Sequence, residues 1–181
     1  MATERPSDVA GDSDEGLWHA FVGGDDEAVE RLAERYRDDL YWYLFLSTGD
    51  QQAAAQHLLR VWELVAKYRR PLEGFDSFRH WVYAVATQNA VPATRPDTVG
   101  LGDLLDELKR SREVSQQAGV FYALRDLLRP VRQPFLLVAV AGLTIEQAAR
   151  ACNFREERII KSIDQAIAQL APLAAFEPGA R

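Results

Sequence analysis

The sequence has a single cysteine, Cys152, and lacks any long apolar run. One cysteine excludes a disulfide within the chain and a zinc site built on cysteines, and it is typical of the reducing cytoplasm. The longest apolar stretch, residues 135–141, is far too short to cross a bilayer. Residues 1–16 are polar and acidic, so they do not have the pattern of a signal peptide. We therefore expect a cytoplasmic protein without membrane insertion.

Motifs for catalysis, phosphate binding and metal binding are also missing. The histidines His19, His57 and His80 fall on separate predicted helices, with no arrangement of carboxylates around them that spacing would identify. The sequence has no phosphate-binding loop and no nucleophile motif, and it lacks the Glu-x-x-His repeats of a four-helix carboxylate metal site. It thus predicts a protein that is not an enzyme and has no catalytic residue, metal ion or cofactor.

Charge is unevenly distributed along the chain. The net charge of −6 argues by itself against a nucleic-acid-binding protein. Residues 1–91, however, contain 9 Lys and Arg against 16 Asp and Glu, whereas residues 119–171 contain 7 against 5. The second half is therefore mildly basic, which permits contact with DNA but does not require it.

Apolar residues recur at three- and four-residue steps, and no segment shows sustained strand alternation, so we expect an all-α fold. The predicted helices are 13–22, 25 or 26 to 46, 51–68, 75–91, 120–128, 131–141, 145–151 and 155–170, with a short one near 101–109. We expect five segments: a disordered N-terminus (1–12), a four-helix domain (13–91), a linker (92–118), a helix-turn-helix domain (119–172) and a tail (173–181).

Residues 144–170 have the pattern of a helix-turn-helix. Ala149 is small enough to lie where the two helices cross, and Asn153 tolerates the left-handed backbone of the tight turn. The spacing predicts five outward side chains on the second helix: Arg155, Glu156, Arg158, Lys161 and Ser162. A recognition helix would turn this face to the major groove of DNA. A plain helical hairpin that packs on another protein fits the same residues.

Both domains also carry motif residues in a fixed order. The first has Gly49-Asp50, Ala54, Val61 and Trp62, then Phe78-Arg79, Trp81-Val82-Tyr83, Ala86 and Asn89; the second has Phe135-Leu136-Leu137, Gln147-Ala148-Ala149, Cys152-Asn153-Phe154, Ile159, Ile163, Ala166 and Leu170. These resemble motifs of the extracytoplasmic-function sigma factors, which read GDxxxAEDLVQEVFLRLW and FRxWLYxIAxN, then VFxL and EIAxxLGISxGTVxSRLxRAxxxL. The resemblance covers about residues 14–91 and 119–171.

The resemblance implies a protein that binds core RNA polymerase and directs promoter recognition and transcription initiation. The implied partners are core RNA polymerase, promoter DNA, and an anti-sigma factor or another regulatory protein. The first domain would dock on the polymerase and capture an unpaired base of the melted strand, and the second would read the duplex upstream.

Residue by residue, the resemblance implies three sets. The polymerase-binding positions are Gln56, Leu59 and Arg60, and the surface positions on the promoter-melting helix are Arg79, Gln88 and Asn89. The DNA-binding positions are Arg155, Glu156, Arg158, Lys161 and Ser162, with Arg132 on a flanking phosphate. We expect Trp81, Val82 and Val85 to belong to the core rather than to contact bases.

The sequence departs from the family at several of these sites. The family's acidic polymerase-binding patch reads Ala55-Gln56 and Leu59-Arg60 here, and its arginines in the last helix are replaced by Ser162 and Gln165. Each missing cation weakens phosphate contacts, so we expect weak intrinsic DNA binding. Two alternatives stay open: a degenerate sigma-like regulator that acts through protein–protein binding, and a generic helix-turn-helix regulator that binds a palindrome as a dimer.

Overall fold

The computed structural model describes residues 13–69, 74–90 and 121–174, with side chains described as far as residue 171. Within these ranges all regular structure is helical, which confirms the all-α prediction. The helices are α1 (Asp14–Gly23), α2 (Asp26–Thr48), α3 (Gln51–Lys67), α4 (Phe78–Asn89), α5 (Arg129–Ala139), α6 (Ile145–Cys152) and α7 (Glu156–Ala174). Residues 121–126 form a further helical segment. We call residues 13–90 the first unit and residues 121–174 the second unit.

Short polar side chains determine where the helices of the first unit begin. Ser13, Asp25, Asp50 and Ser77 each accept a hydrogen bond from a backbone N–H in the first turn of α1, α2, α3 and α4, at 3.0, 3.1, 2.6 and 3.1 Å respectively. Because Ser77 is the cap, α4 begins at Phe78, three residues later than the predicted start.

Prolines interrupt the second unit less than the sequence pattern indicated. α5 begins at Arg129, so Pro130 lies in its first turn, where the missing N–H would have had no partner. α7 extends to Ala174, so the predicted end before Pro172 was wrong. The predicted disordered N-terminus, the linker over 92–118 and its short helix lie outside the described residues.

Aromatic packing fixes α4 in the first unit. The buried Trp18 of α1 has its ring centroid 5.4 Å from that of Phe78 and 4.8 Å from that of Trp81. On the other side of α4, the buried hydroxyls of Tyr43 and Thr87 are 2.6 Å apart and share a hydrogen bond. These contacts hold α4 between α1 and α2 with one of its faces turned away from this core.

In the second unit, apolar side chains of α5, α6 and α7 pack together, and this packing is continuous with the apolar core of the first unit. Its fully buried side chains include Leu136, Leu137, Ala148, Ile159 and Ala166. They come from all three helices, so the helix-turn-helix formed by α6 and α7 is seated on α5 as a single body.

The two units also contact each other, which the sequence pattern had not indicated. α6 packs along α4, and α5 contacts α2. At one end of this seam the ring of Phe45 stacks on that of Phe121, with centroids 5.0 Å apart and planes inclined by 13°. The first helix of the helix-turn-helix therefore lies directly against the helix that the resemblance assigns to promoter melting.

Candidate nucleic-acid interface

The turn between α6 and α7 has the geometry that the sequence predicted. The Thr144 hydroxyl accepts from the Gln147 amide at 3.2 Å, and the Gln147 side chain accepts from the Thr144 amide at 3.0 Å, a reciprocal cap at the start of α6. Asn153 adopts φ +55°, the left-handed conformation expected of it. Ala149 is buried at the crossing of the two helices. These three features fix the direction in which α7 leaves the turn.

Four of the five predicted contact residues do face outward, three of them on α7 and Arg155 directly before it. Arg155, Glu156, Arg158 and Lys161 are all exposed, so they form a polar edge along the start of the helix. The Arg158 guanidinium carbon lies 3.8 Å from the centroid of the Phe154 ring. This cation–π contact holds the guanidinium in one place before any ligand binds.

Ser162 does not belong to this edge, and its predicted outward position was wrong. It is only 7% exposed, and its hydroxyl donates to the carbonyls of Pro130 and Arg158, at 3.1 and 2.8 Å. Ser162 comes three residues after the fully buried Ile159, and this spacing turns both side chains to α5.

Arg132 is also turned inward, which contradicts its predicted contact with a flanking phosphate. It is 6% exposed, and its Nη1 donates to the Arg125 carbonyl at 2.8 Å. Burial, with smaller contributions from Arg129 and Arg125, lowers the pKa of its guanidinium. A cation in this position is enclosed by α5 and the segment before it, and it cannot reach DNA.

Carboxylates lie close to the cationic edge. An open depression of about 630 Å³ between α6 and α7 is lined by Glu146, Ala149, Arg150, Asn153, Phe154, Arg155, Glu156 and Glu157. Three acidic side chains therefore accompany two arginines. This balance agrees with the weak phosphate affinity expected from the sequence.

The three predicted surface residues of α4 have different surroundings. Arg79 contacts both units: its Nε donates to the Ala141 carbonyl of the second unit at 2.9 Å, and its Nη2 lies 3.6 Å from the carboxylate of Asp39 on α2. Gln88 is exposed. Asn89 is half-buried and donates from Nδ2 to the Val85 carbonyl at 2.8 Å.

Gln88 and Asn89 border a cavity that the sequence reasoning missed. Its volume is about 350 Å³, and its lining is Leu64, Tyr68, Phe75, Trp81, Ala84, Val85, Gln88 and Asn89. Trp81, which was predicted to be core, packs on Trp18 and also lines this cavity. The available sequence signal was a pair of aromatic residues, Tyr68 and Phe75, separated by a short segment that contains Pro71 and Gly74. Aromatic rings beside side-chain amides can stack on a flat heterocycle and pair with its edge.

The predicted polymerase-binding residues lie on the outer face of α3. Gln56, Leu59 and Arg60 are all exposed, and Leu59 is 68% exposed. The Arg60 guanidinium pairs with the Glu63 carboxylate one turn later, at 2.9 Å. This face therefore offers an apolar side chain between polar ones.

In the described part of the chain, no three His, Cys, Asp or Glu side chains come together as metal ligands would. Among the same residues, no helix has the length and apolar character that a membrane crossing requires.

Fold and site together define a class: a two-unit helical protein that carries a helix-turn-helix with an outward cationic edge. No family profile matches the chain. Its sequence is 24% identical over 151 residues to the ECF RNA polymerase sigma factor SigX of Bacillus subtilis, covering 74% of this chain and 77% of that protein. Its fold is similar to that of CnrH, solved in complex with the cytosolic domain of CnrY, with a TM-score of 0.60 and 20% identity over 90% of this chain and 97% of CnrH. The similarity to SigX agrees with the resemblance to extracytoplasmic-function sigma factors that the motifs indicated, and the similarity to CnrH shows a shared fold.

Proposed function

We propose that this protein binds core RNA polymerase and directs promoter recognition and transcription initiation, with α7 reading duplex DNA. The observation that carries this proposal is the exposed edge of Arg155, Arg158 and Lys161 on a correctly turned helix-turn-helix. Arginine and lysine donate to guanine edges and to phosphates in the major groove. Because Phe154 holds Arg158 in place, less side-chain entropy is lost when that residue meets a base.

The cavity beside α4 supports a second contact, to an unpaired base of the melted strand. Tyr68, Phe75 and Trp81 offer aromatic surfaces, and Gln88 and Asn89 offer amide groups at the same opening. Stacking on such rings contributes about 1–3 kcal/mol per base. In this proposal the first unit melts the promoter and holds the unpaired strand, while the second unit reads the duplex.

The protein relies on polymerase for affinity in this proposal. Glu146, Glu156 and Glu157 line the same depression as Arg155, and their negative charge opposes phosphate binding there. Polymerase held at Gln56, Leu59 and Arg60 of α3 would keep the second unit near DNA and raise its effective concentration there. The protein would act in the cytoplasm, where polymerase lies.

The experiment mixes the protein with purified core polymerase and measures complex formation by size exclusion and transcription from promoter DNA. We expect a stable complex and promoter-specific transcripts. Leu59→Asp should weaken the complex, whereas Leu128→Asp, which alters an equally exposed leucine of the second unit, is the matched control. The proposal fails if no complex and no specific transcript forms.

One observation favours a second candidate, a sigma-like regulator that acts by binding proteins. The α3 face lacks the family's carboxylates and exposes Leu59, which suits a protein partner. CnrH, the similar structure, was itself solved with a protein, the cytosolic domain of CnrY. Binding of such a regulatory protein, together with no salt-dependent DNA affinity and no transcripts with core polymerase, would support this candidate instead.

A further inference from the structure

Three arginines come together where α5 begins. Arg125 lies on the helical segment before α5, Arg129 is the first residue of α5, and Arg132 follows three residues later. The Arg132 Nη1 donates to the Arg125 carbonyl at 2.8 Å, and the charges of Arg129 and Arg125 add to burial in lowering the pKa of the Arg132 guanidinium. We call these three side chains the arginine cluster. Arg129 is exposed, Arg125 is half-buried and Arg132 is buried, so the cluster reaches from the surface into the interior.

Among the residues that the structure describes, no carboxylate forms an ion pair with the arginine cluster. The partners of its guanidinium groups there are neutral: the Arg125 carbonyl, the side-chain oxygen of Gln133 at 3.2 Å and the Thr87 carbonyl at 3.5 Å. Arg150 of α6, by contrast, pairs with the carboxylate of Asp76 in the turn before α4, at 3.1 Å. The positive charge of the cluster is therefore not balanced within the described ranges.

Arg132 is the member of the cluster whose charge is least favourable where it lies. It is 6% exposed, and its Nε has no hydrogen-bond partner in the described part of the chain. Its Nη1 closes the end of the preceding helical segment by donating to the Arg125 carbonyl, a role that uses only one of its donors. A buried cation without a partner charge is destabilising, because nothing offsets the loss of its hydration. A bound anion would offset that loss.

The start of α5 adds positive electrostatic potential at the same place. Its N-cap residue is Leu128, which has no side-chain acceptor for the amides of the first turn. The N-terminal end of a helix carries partial positive charge and commonly binds phosphate groups. Guanidinium groups bind phosphate oxygens through paired hydrogen bonds, and Arg129 lies in this first turn. Charge, donors and helix direction therefore favour the same kind of ligand.

We propose that the arginine cluster and the start of α5 form a binding site for a small oxyanion of the phosphate class, such as pyrophosphate. Arg125 and Arg129 contact the anion, and Arg132 lies behind them as the buried charge. The backbone of duplex DNA carries the same phosphate chemistry, but its phosphates are held on a bulky duplex, whereas a small free anion can enter between the two outer arginines. The site includes none of the exposed cations of the α7 edge, and it goes beyond the proposed function.

Calorimetric titration of the full chain with sodium pyrophosphate, at an ionic strength held constant with sodium chloride, tests the site. We expect one pyrophosphate per chain, and a rise in melting temperature of about 5–11 °C at roughly 100 times the dissociation constant. Arg125→Gln and Arg129→Gln should each weaken binding about tenfold or more, because each removes a charge-assisted hydrogen bond. Arg155→Gln is the matched control: it removes an exposed arginine directly before α7, outside the cluster, and should bind pyrophosphate as the original protein does.

Arg132→Met distinguishes an anion site from a purely structural role of this arginine. Methionine fills much of the same space without a charge, and the variant should lose the rise in melting temperature that pyrophosphate causes. If Arg132 served only to bind the Arg125 carbonyl, Arg132→Met would lower the melting temperature equally with and without pyrophosphate, and that result would overturn the inference.

An excess of short duplex DNA, added as a competitor, distinguishes the two sources of phosphate. A site for a small free anion keeps its pyrophosphate, whereas displacement by the duplex would assign the cluster to the DNA backbone and overturn the inference. It is also overturned if pyrophosphate leaves the melting temperature unchanged, or if Arg155→Gln loses binding as the cluster variants do. These titrations involve neither polymerase nor transcription, so their failure would leave the proposed function standing, and the reverse also holds.

Discussion

Removal of two cations from the edge of α7 should change how DNA binding depends on salt. Each phosphate neutralised by a side chain contributes about 0.9 to the slope of log affinity against log salt concentration. Three exposed cations, Arg155, Arg158 and Lys161, give a slope of about −2.7 by the same rule. The double variant Arg158→Ala with Lys161→Ala should keep a slope of about −0.9. When salt rises from about 50 to 200 mM, the original protein should therefore lose roughly twelvefold more affinity than the double variant.

Fluorescence anisotropy with a labelled duplex at several salt concentrations measures this slope directly. The control removes the same charge from the first unit, through Arg37→Ala with Lys67→Ala, two exposed cations of α2 and α3. We expect the control to keep the original slope. An unchanged slope in the α7 variant would remove Arg158 and Lys161 from the interface, and an equal loss in the control would mean that binding follows net charge alone.

Three other expectations follow from the packing and the cavity. Ile159→Ala empties a fully buried site between α7 and α5 and should lower the free energy of unfolding by about 2–5 kcal/mol in urea titrations. Ile160→Ala, at the exposed neighbouring position, should lower it by under about 0.5 kcal/mol. Similar losses in the two variants would contradict the packing of α7. Tyr68→Ala should weaken binding of single-stranded DNA by about 1–3 kcal/mol per stacked base, whereas Tyr68→Phe should keep the original affinity. Equal affinity in the two variants would exclude stacking in the cavity. Burial, partly offset by Asp76, lowers the pKa of His80 below its ordinary value of about 6.5. The unfolded chain therefore binds a proton at His80 more readily than the folded chain does. The contribution of neutral His80 to the free energy of unfolding is complete above about pH 6.5 and decreases as the pH falls toward the lowered pKa. Urea titrations at several pH values should show this decrease flattened in His80→Asn, and an unchanged pH profile would refute it.

Most of the helices could be predicted because local signals and core periodicity agree along this chain. Thr144, Asn153 and the apolar residues of α7 determine their local structure through caps, turn geometry and spacing, which require no knowledge of the rest of the fold. The error at Ser162 came from reading it as polar and therefore outward, although its position three residues after Ile159 places it on the face that packs on α5, where its hydroxyl donates to the Pro130 carbonyl.

The seam between the units could not be predicted for a different reason. Asp76 and Arg150 are far apart in the sequence, and each is an ordinary surface residue on its own element. Arg132 gave no sign of burial, since arginines are mostly exposed and its enclosure depends on the segment before α5. The cavity beside α4 combines residues of α3, the following turn and α4, which only the tertiary fold brings together.

The most direct test of duplex reading by α7 is a selection of promoters from a random DNA library. Core polymerase and the protein transcribe the library, and the templates of the transcripts are sequenced. We expect an enriched upstream duplex motif with the original protein, its loss with Arg158→Ala and Lys161→Ala, and its retention with Arg37→Ala and Lys67→Ala. The same motif at the same strength in the α7 variant, or no enrichment with any protein, would contradict the account.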